Sequence, residues 1–446
     1  MTGFHAKRLP THLGPAAWNS ILETQPAPLK LDEDQTADFA VIGAGFAGLA
    51  AARRLTQLAP GARIVVLDAG RMAEGASGRN SGFMIDLPHE LTSDDYAGSG
   101  DDRKLIALNR QAQAFAAGAV EDYEIKQDYF DACGRVNGAA GATADARNDS
   151  YKRHLDILGE PSDMLDAQQM KELTGSHHYV SGLYTPGTVV LQPAGFVRGL
   201  AAGLVRDGVS LFENSPVTAM TREDAAWRLA TPDATLLATR VILTVNGHLE
   251  SFGIERGRLI QLFLFAAMTP ELDADALARL GGQSRWGITP SSPTGTTVRR
   301  IDRALGGNRI VARTCAVVKP DTRPSRTSLS RAARVLQRKF DQRFPQLSGM
   351  QMEHVWAGHL CLSMNRVAVM REIEQNLFSG CVQNGLGTAR GTLTGIGAAE
   401  LACGVTSDIT QHYSAEDRPR RLPPQPFQQL GANALLRWKE WRARDE

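Results

Sequence analysis

The stretch "FAVIGAGFAGLAAARRL", Phe39–Leu55, sets three glycines between a short apolar run and an alanine-rich one. Phe39 to Ile42 is short, partly β-branched and stopped by glycine, the pattern of a buried parallel strand. A helix is expected directly after it, from Ala47 to Leu58. Gly43 permits a tight turn, Gly45 leaves backbone N–H groups open to a diphosphate, and Gly48 lets helix and strand lie close. The first-turn N–H groups lack intrahelical partners and the helix dipole is positive at that end, so an anion is held there without a lysine. "RIVVLDAG" (Arg63–Gly70) then ends a second strand at Asp68, which is placed to accept hydrogen bonds from an adenosine ribose. Strand, turn, helix and acid in register predict a dinucleotide site. By itself the motif leaves open an ordinary tight turn, and it does not separate a nicotinamide from a flavin.

Composition narrows the class. The chain has 446 residues, enough for two or three domains, with 43% hydrophobic and 22% charged residues and a formal charge of +1. That balance gives no reason to expect nucleic acid or a membrane surface as partner. The five cysteines, Cys133, Cys315, Cys361, Cys381 and Cys403, are dispersed and lack C-x-x-C spacing, so neither a disulfide framework nor a metal site is expected. The N-terminus lacks the continuous apolar core of a signal peptide, which makes a cytoplasmic location the expectation.

Organisation follows from the pattern. Residues 1–36 read as an arm laid over the body. Residues 37–95, 186–250 and 346–410 are expected to form a discontinuous α/β nucleotide-binding domain, and 96–185 and 251–345 a substrate-binding domain interleaved with it. Residues 411–446 read as a tail ending in a short helix, "NALLRWKEWRARDE". "DRKLIALNRQAQAFAAGAVEDY" has helical apolar spacing, "RLIQLFLFAAMT" and "NRIVARTC" look like antiparallel strands, and "SRAARVLQRKFDQRFPQL" is a basic amphipathic helix with a solvated face.

Two further segments bear on the cofactor. "EGASGRNSGF", Glu74–Phe83, is a loop of small residues whose amides can approach a ring or a phosphate. "CVQNGLGTARGTLTGIGAAELACG" places Asn384, Gly385 and Gly387 before a helix expected from about Gly391 to Cys403. That helix N-terminus can stabilise negative charge on a reduced flavin; the alternative is a glycine-rich helix crossing.

In order along the chain, "VIGAGFAGLAAA", "GASGRNSGF", "LQPAGFVRGLA", "VWAGHLCLSMNRVAVM" and "QNGLGTARGTLTGIGAAELACG" resemble the D-amino-acid oxidase superfamily of FAD enzymes, and most of all its gamma-glutamylputrescine oxidase group. The resemblance covers most of residues 38–404. It implies a glutathione-reductase-type Rossmann FAD domain interleaved with an antiparallel-sheet substrate domain, and oxidation of a carbon–nitrogen bond. Carried over by position, Gly43, Gly45 and Gly48 with Phe46 and Ala47 would surround the pyrophosphate, and Asp68 and Ala69 the ribose. Ser77, Gly78, Arg79, Asn80 and Ser81 would face the flavin, Gly385, Gly387 and Thr388 its pyrimidine, and Val217, Asn246, Gly247 and Gly358 the remaining cofactor surface. The chain departs from the pattern at Asp68, where glutamate is usual, at Leu386, where histidine is common, and at Ala368 and Arg371, where proline and glycine are common.

The implied reaction takes two electrons from an amine or amino acid to give an imine, which water hydrolyses to a carbonyl compound, while oxygen or another acceptor reoxidises non-covalently bound FAD. The candidates on the substrate side are Trp356 as a pocket wall, His359, and Arg366 as partner for a substrate carboxylate or the flavin. Each also reads as an ordinary structural residue, and His248 belongs to the FAD surroundings. A non-catalytic flavoprotein and an NAD(P)-dependent dehydrogenase are the alternatives.

Overall fold

The computed structural model describes residues 3–88, 102–292 and 294–446. Gln35–Ile42 is a strand, Phe46–Leu58 a helix with Gly45 at its N-cap, and Ile64–Leu67 the next strand. Gly43 has φ +103°, a conformation side chains disfavour. A Cβ at Gly48 would fall 1.7 Å from the Gly43 carbonyl oxygen, so the close seating of helix on turn requires a glycine there.

These elements belong to a nine-stranded sheet with a parallel centre. Ser210–Phe212, Ile64–Leu67, Gln35–Ile42, Thr235–Leu243 and Leu377–Cys381 run parallel, each beside the next. Ala226–Ala230, Ala219–Glu223 and finally Gly3–His5 extend it antiparallel. Val41, Val65 and Val66 are fully buried, as befits strands covered on both faces. The helices Phe46–Leu58, Asp102–Asp122, Pro193–Arg206 and Ala389–Ala402 share one core with this sheet, in which Leu49, Leu55 and Leu204 are inaccessible. Each such leucine contributes about 1.5–3 kcal/mol. Gly395 of the last helix sits where a Cβ would be 2.0 Å from the Ala47 carbonyl oxygen, so this helix does make a glycine-mediated crossing.

The second sheet has eight strands in the order His354–Ser363, Leu259–Met268, Arg309–Val318, Thr297–Ile301, Trp286–Pro290, Arg135–Ala139, Ser181–Thr185 and Asp163–Asp166. Helix Arg326–Arg343 packs on it through Ala332, Leu336 and Phe340, one face of a helix, and leaves Arg334 and Arg338 exposed. His354–Ser363 lies within the segment 346–410 that the sequence placed with the nucleotide domain. It pairs instead along its whole length with Leu259–Met268, because strand alternation does not name a partner and pairing is decided in three dimensions. The expected boundary at 95/96 lies outside the described residues.

The arm joins the two sheets. Gly3–His5 adds to the nucleotide sheet, and the Leu13 carbonyl then accepts from Ala357 N–H on the substrate sheet. A helical turn, Ala17–Ser20, follows and buries Trp18. The C-terminal helix begins at Phe427, earlier than its apolar pattern indicates. Among the described residues no helix is long and apolar enough to cross a membrane.

Candidate active site

A cavity of about 430 Å³ runs between the sheets and gathers segments far apart in sequence. Gly43, Gly45, Phe46, Ala47, Asp68 and Ala69 line one end. The Asp68 carboxylate accepts from Ala44 N–H at 2.7 Å and Gly70 N–H at 2.8 Å. Burial raises its pKa, and these two hydrogen bonds oppose that shift. Further lone pairs remain for ribose hydroxyls. Ser77 Oγ accepts from Phe46 N–H at 3.0 Å, and a Cβ on Gly45 would come within 2.7 Å of that oxygen.

The loop at 77–83 is held from behind. Trp356 Nε1 donates to the Arg79 carbonyl at 3.0 Å and Trp18 Nε1 to the Asn80 carbonyl at 2.9 Å. Arg79 itself donates to the Glu74, Gly14 and Ala357 carbonyls, which binds loop, arm and substrate sheet together. Asn80 Oδ1 accepts from Gly82 N–H, and Thr388 Oγ1 donates to the Phe83 carbonyl at 2.6 Å. Arg79, Asn80, Ser81, Val217, Asn246, Gly358, Gly385, Gly387 and Thr388 all line the cavity, as do Leu386 and His248. Gly48, Gly78 and Gly247 stand behind it as packing glycines: a Cβ would meet Ala73 O at 1.8 Å from Gly78 and Gln261 Oε1 at 2.3 Å from Gly247. The open cradle at Gly45, the ribose-side acid and the unpartnered buried Asn246 Oδ1 fit a flavin dinucleotide.

On the substrate side the candidates separate. His359 lines the cavity; Trp356 and Arg366 do not. Trp356 is fully buried beneath the loop, and Arg366 is exposed in the turn after His354–Ser363. His359 Nε2 lies 2.9 Å from Gln261 Oε1. Gln261 Nε2 donates to the Gly247 carbonyl and to Glu250, so its oxygen faces His359 and Nε2 of the imidazole carries the proton. Nδ1 is left as an acceptor. The ring stands 5.2 Å from His248 and 5.1 Å from Phe263. Burial and the neighbouring histidines lower His359 to about 3.

Three contributors went unread in the sequence. The arm supplies Arg8 and His12 to the cavity wall, and nothing local in a proline-bearing segment signals that. Arg313 points into the cavity from the middle of Arg309–Val318; an arginine interrupting the apolar run "RIVARTCAVV" was the available signal. Its Nε donates to Ser81 Oγ at 3.3 Å, and among the described residues it has no carboxylate within ion-pair distance. Burial lowers it to about 10, so it remains a cation near neutral pH. The one carboxylate on the cavity wall, among the described residues, is Asp68.

Comparison with known proteins agrees with this geometry. The family described as FAD dependent oxidoreductase (DAO) matches residues 38–401. The probable oxidoreductase OrdL of Haemophilus influenzae is 25% identical over 390 residues, 84% of each chain. The gamma-glutamylputrescine oxidoreductase of Escherichia coli is 23% identical over 380 residues, covering 84% of this chain and 85% of that one. Glycine oxidase from Geobacillus kaustophilus shares the fold, with a TM-score of 0.67 and 18% identity over 87% of this chain and all of the other. The family match decides for a flavin over a nicotinamide and for an enzyme over a non-catalytic carrier. With a family match over residues 38–401, the chain belongs to the DAO family of FAD-dependent oxidoreductases, of the amine and amino-acid oxidase type.

Proposed function

We propose that the protein oxidises the carbon–nitrogen bond of a small amine that carries a carboxylate, yielding an imine that water hydrolyses to a carbonyl compound. The observation that carries this reading is Arg313, a half-buried arginine whose desolvated guanidinium stands on the cavity wall with no acidic partner among the described residues. A desolvated cation of this kind is costly unless an anion meets it, and a planar fork suits a carboxylate. A free diamine is disfavoured, since among the described residues no second acid lines the cavity to receive an ammonium group.

Bound FAD supplies the two-electron acceptor and, once reduced, passes electrons to oxygen or another acceptor. The chain's own part is to bind and orient. Arg313 anchors the carboxylate, Phe263 and Phe265 exclude water from the reacting carbon, and His359 Nδ1 accepts from the amine N–H. None of the five cysteines lines the cavity, which supports FAD held without a cysteine link.

The test is anaerobic bleaching of the flavin by amines with and without a carboxylate, in the parent and in Arg313→Met. Carboxylated amines should reduce the parent, and the variant should lose about 2–5 kcal/mol of their binding, the cost of removing one member of a buried charge pair. Equal reduction of carboxylated and uncharged amines in both proteins would refute the assignment.

A further inference from the structure

Beyond Arg313 the cavity-facing side of the substrate sheet carries fully buried arginines, Arg299 and Arg135, and Arg135 sits in a polar cluster of its own. Thr297 pairs with Arg313 and Thr289 with Asn137, and the hairpin in which Ile288 faces Val298 brings these pairs into one row across four strands. Thr289 and Arg313 both line the cavity. Arg135 is two residues from Asn137 on the same face of its strand. Its Nη1 donates to Asn137 Oδ1 and to Thr289 Oγ1, each at 2.5 Å, and Thr289 Oγ1 donates to Asn137 Oδ1 at 2.6 Å.

The rest of this cluster is unsatisfied. Arg135 is 1% exposed, yet its Nε and Nη2 have no partner, nor have Asn137 Nδ2, Thr297 Oγ1 or Thr185 Oγ1, the last on the residue facing Arg135 across the strands. Among the described residues no carboxylate lies within ion-pair distance of Arg135. Native interiors rarely leave buried donors empty, and a buried guanidinium without an anion is among the costliest cases. The empty donors of Arg135 and Asn137 lie directly beside Thr289, which is itself at the wall of the reaction cavity.

We propose that the substrate reaches past Thr289 and that Arg135, with Asn137 and Thr289, receives a second carboxylate, so that the substrate is an amine bearing two carboxylates. This rests on the function proposed above, with Arg313 holding the carboxylate nearer the reacting carbon. The strands of Thr289 and Arg313 are two steps apart in the sheet, about 10 Å, which a short dicarboxylate chain can bridge.

The experiment uses the FAD-loaded protein, Arg135→Gln and Thr289→Val, and two matched amines, N-(3-carboxypropyl)glycine and N-butylglycine. Single-turnover reduction should favour the dicarboxylate at least about tenfold in the parent, and Arg135→Gln should erase most of that ratio, as expected for loss of a charge-assisted pair. Thr289→Val should lower the ratio in the same direction. A second readout needs no turnover: glutarate should raise Tm of the parent more than butyrate does, and this difference should vanish in Arg135→Gln. An unchanged ratio in both variants, or equal effects of glutarate and butyrate on the parent, would mean that no carboxylate reaches Arg135 and would overturn the proposal. If no amine bleached the flavin, the proposed function would fail, while the glutarate shift and its loss would still decide whether Arg135 receives a carboxylate. If Arg135→Gln did not fold, Thr289→Val would decide it by the same two measurements.

Discussion

The Trp356 indole donates a 3.0 Å hydrogen bond to the main-chain carbonyl of Arg79, reaching from the substrate sheet to the loop that lines the flavin cavity. Both groups are buried, so the carbonyl has no water to replace this donor. Trp356→Phe keeps the ring and removes the donor. It should weaken FAD binding by about 1–2 kcal/mol, the net cost of a lost hydrogen bond plus an unsatisfied carbonyl. Titration of the apoprotein with FAD measures this, and normal affinity would show that the loop holds its shape unaided.

Gly45 faces Ser77 at the mouth of the nucleotide cradle. In Gly45→Val the added Cβ would stand 2.7 Å from Ser77 Oγ and disturb its bond to Phe46 N–H, while the two methyl groups would project into the cavity. The purified variant should carry little FAD and keep its helical content by circular dichroism. Equal flavin occupancy in variant and parent would contradict the placement of the pyrophosphate.

His359 is held neutral by burial, at about 3, so it does not titrate in the ordinary working range. Flavin reduction should therefore rise with pH through the ionisation of the substrate amine, which must lose its proton before hydride can leave. His359→Asn should slow reduction by about 10- to 100-fold through misplacement and leave that pH profile where it was. A shifted profile, or rescue of the variant by imidazole, would identify His359 as a proton acceptor.

His178 is half-buried, edge-on to Tyr179, whose ring the Arg343 guanidinium faces, away from the cavity; desolvation, with the nearby Arg343 and Lys339 charges, lowers it to about 3. In the unfolded chain it would titrate near 6.5. Its neutral form thus contributes full stability above about 6.5, and that stability is lost as pH falls toward 3, because the unfolded chain takes up a proton the native one refuses. The parent should lose about 1.4 kcal/mol per pH unit below that point relative to His178→Gln. Thermal melts of both proteins at pH 7 and 4.5 measure the difference, and parallel curves would refute it.

What the sequence determined by itself is what backbone sterics decide locally. The need for glycine at 43 and 48, the helix after them and the acid at 68 each depend on neighbours within about thirty residues, and the composition of the stretch carries them. The strand at 309–318 was equally legible from its apolar run, while the role of Arg313 within it was not. Tertiary structure alone decided which strand meets which. Pairing of His354–Ser363 with Leu259–Met268 turned Trp356 toward the loop and His359 toward the cavity, and left Arg366 outside in a turn. It also laid the arm across the cavity and set Arg135 and Arg313 on one face from strands nearly 180 residues apart. Such contacts carry no local signature, because cross-strand register is set by the burial of whole faces.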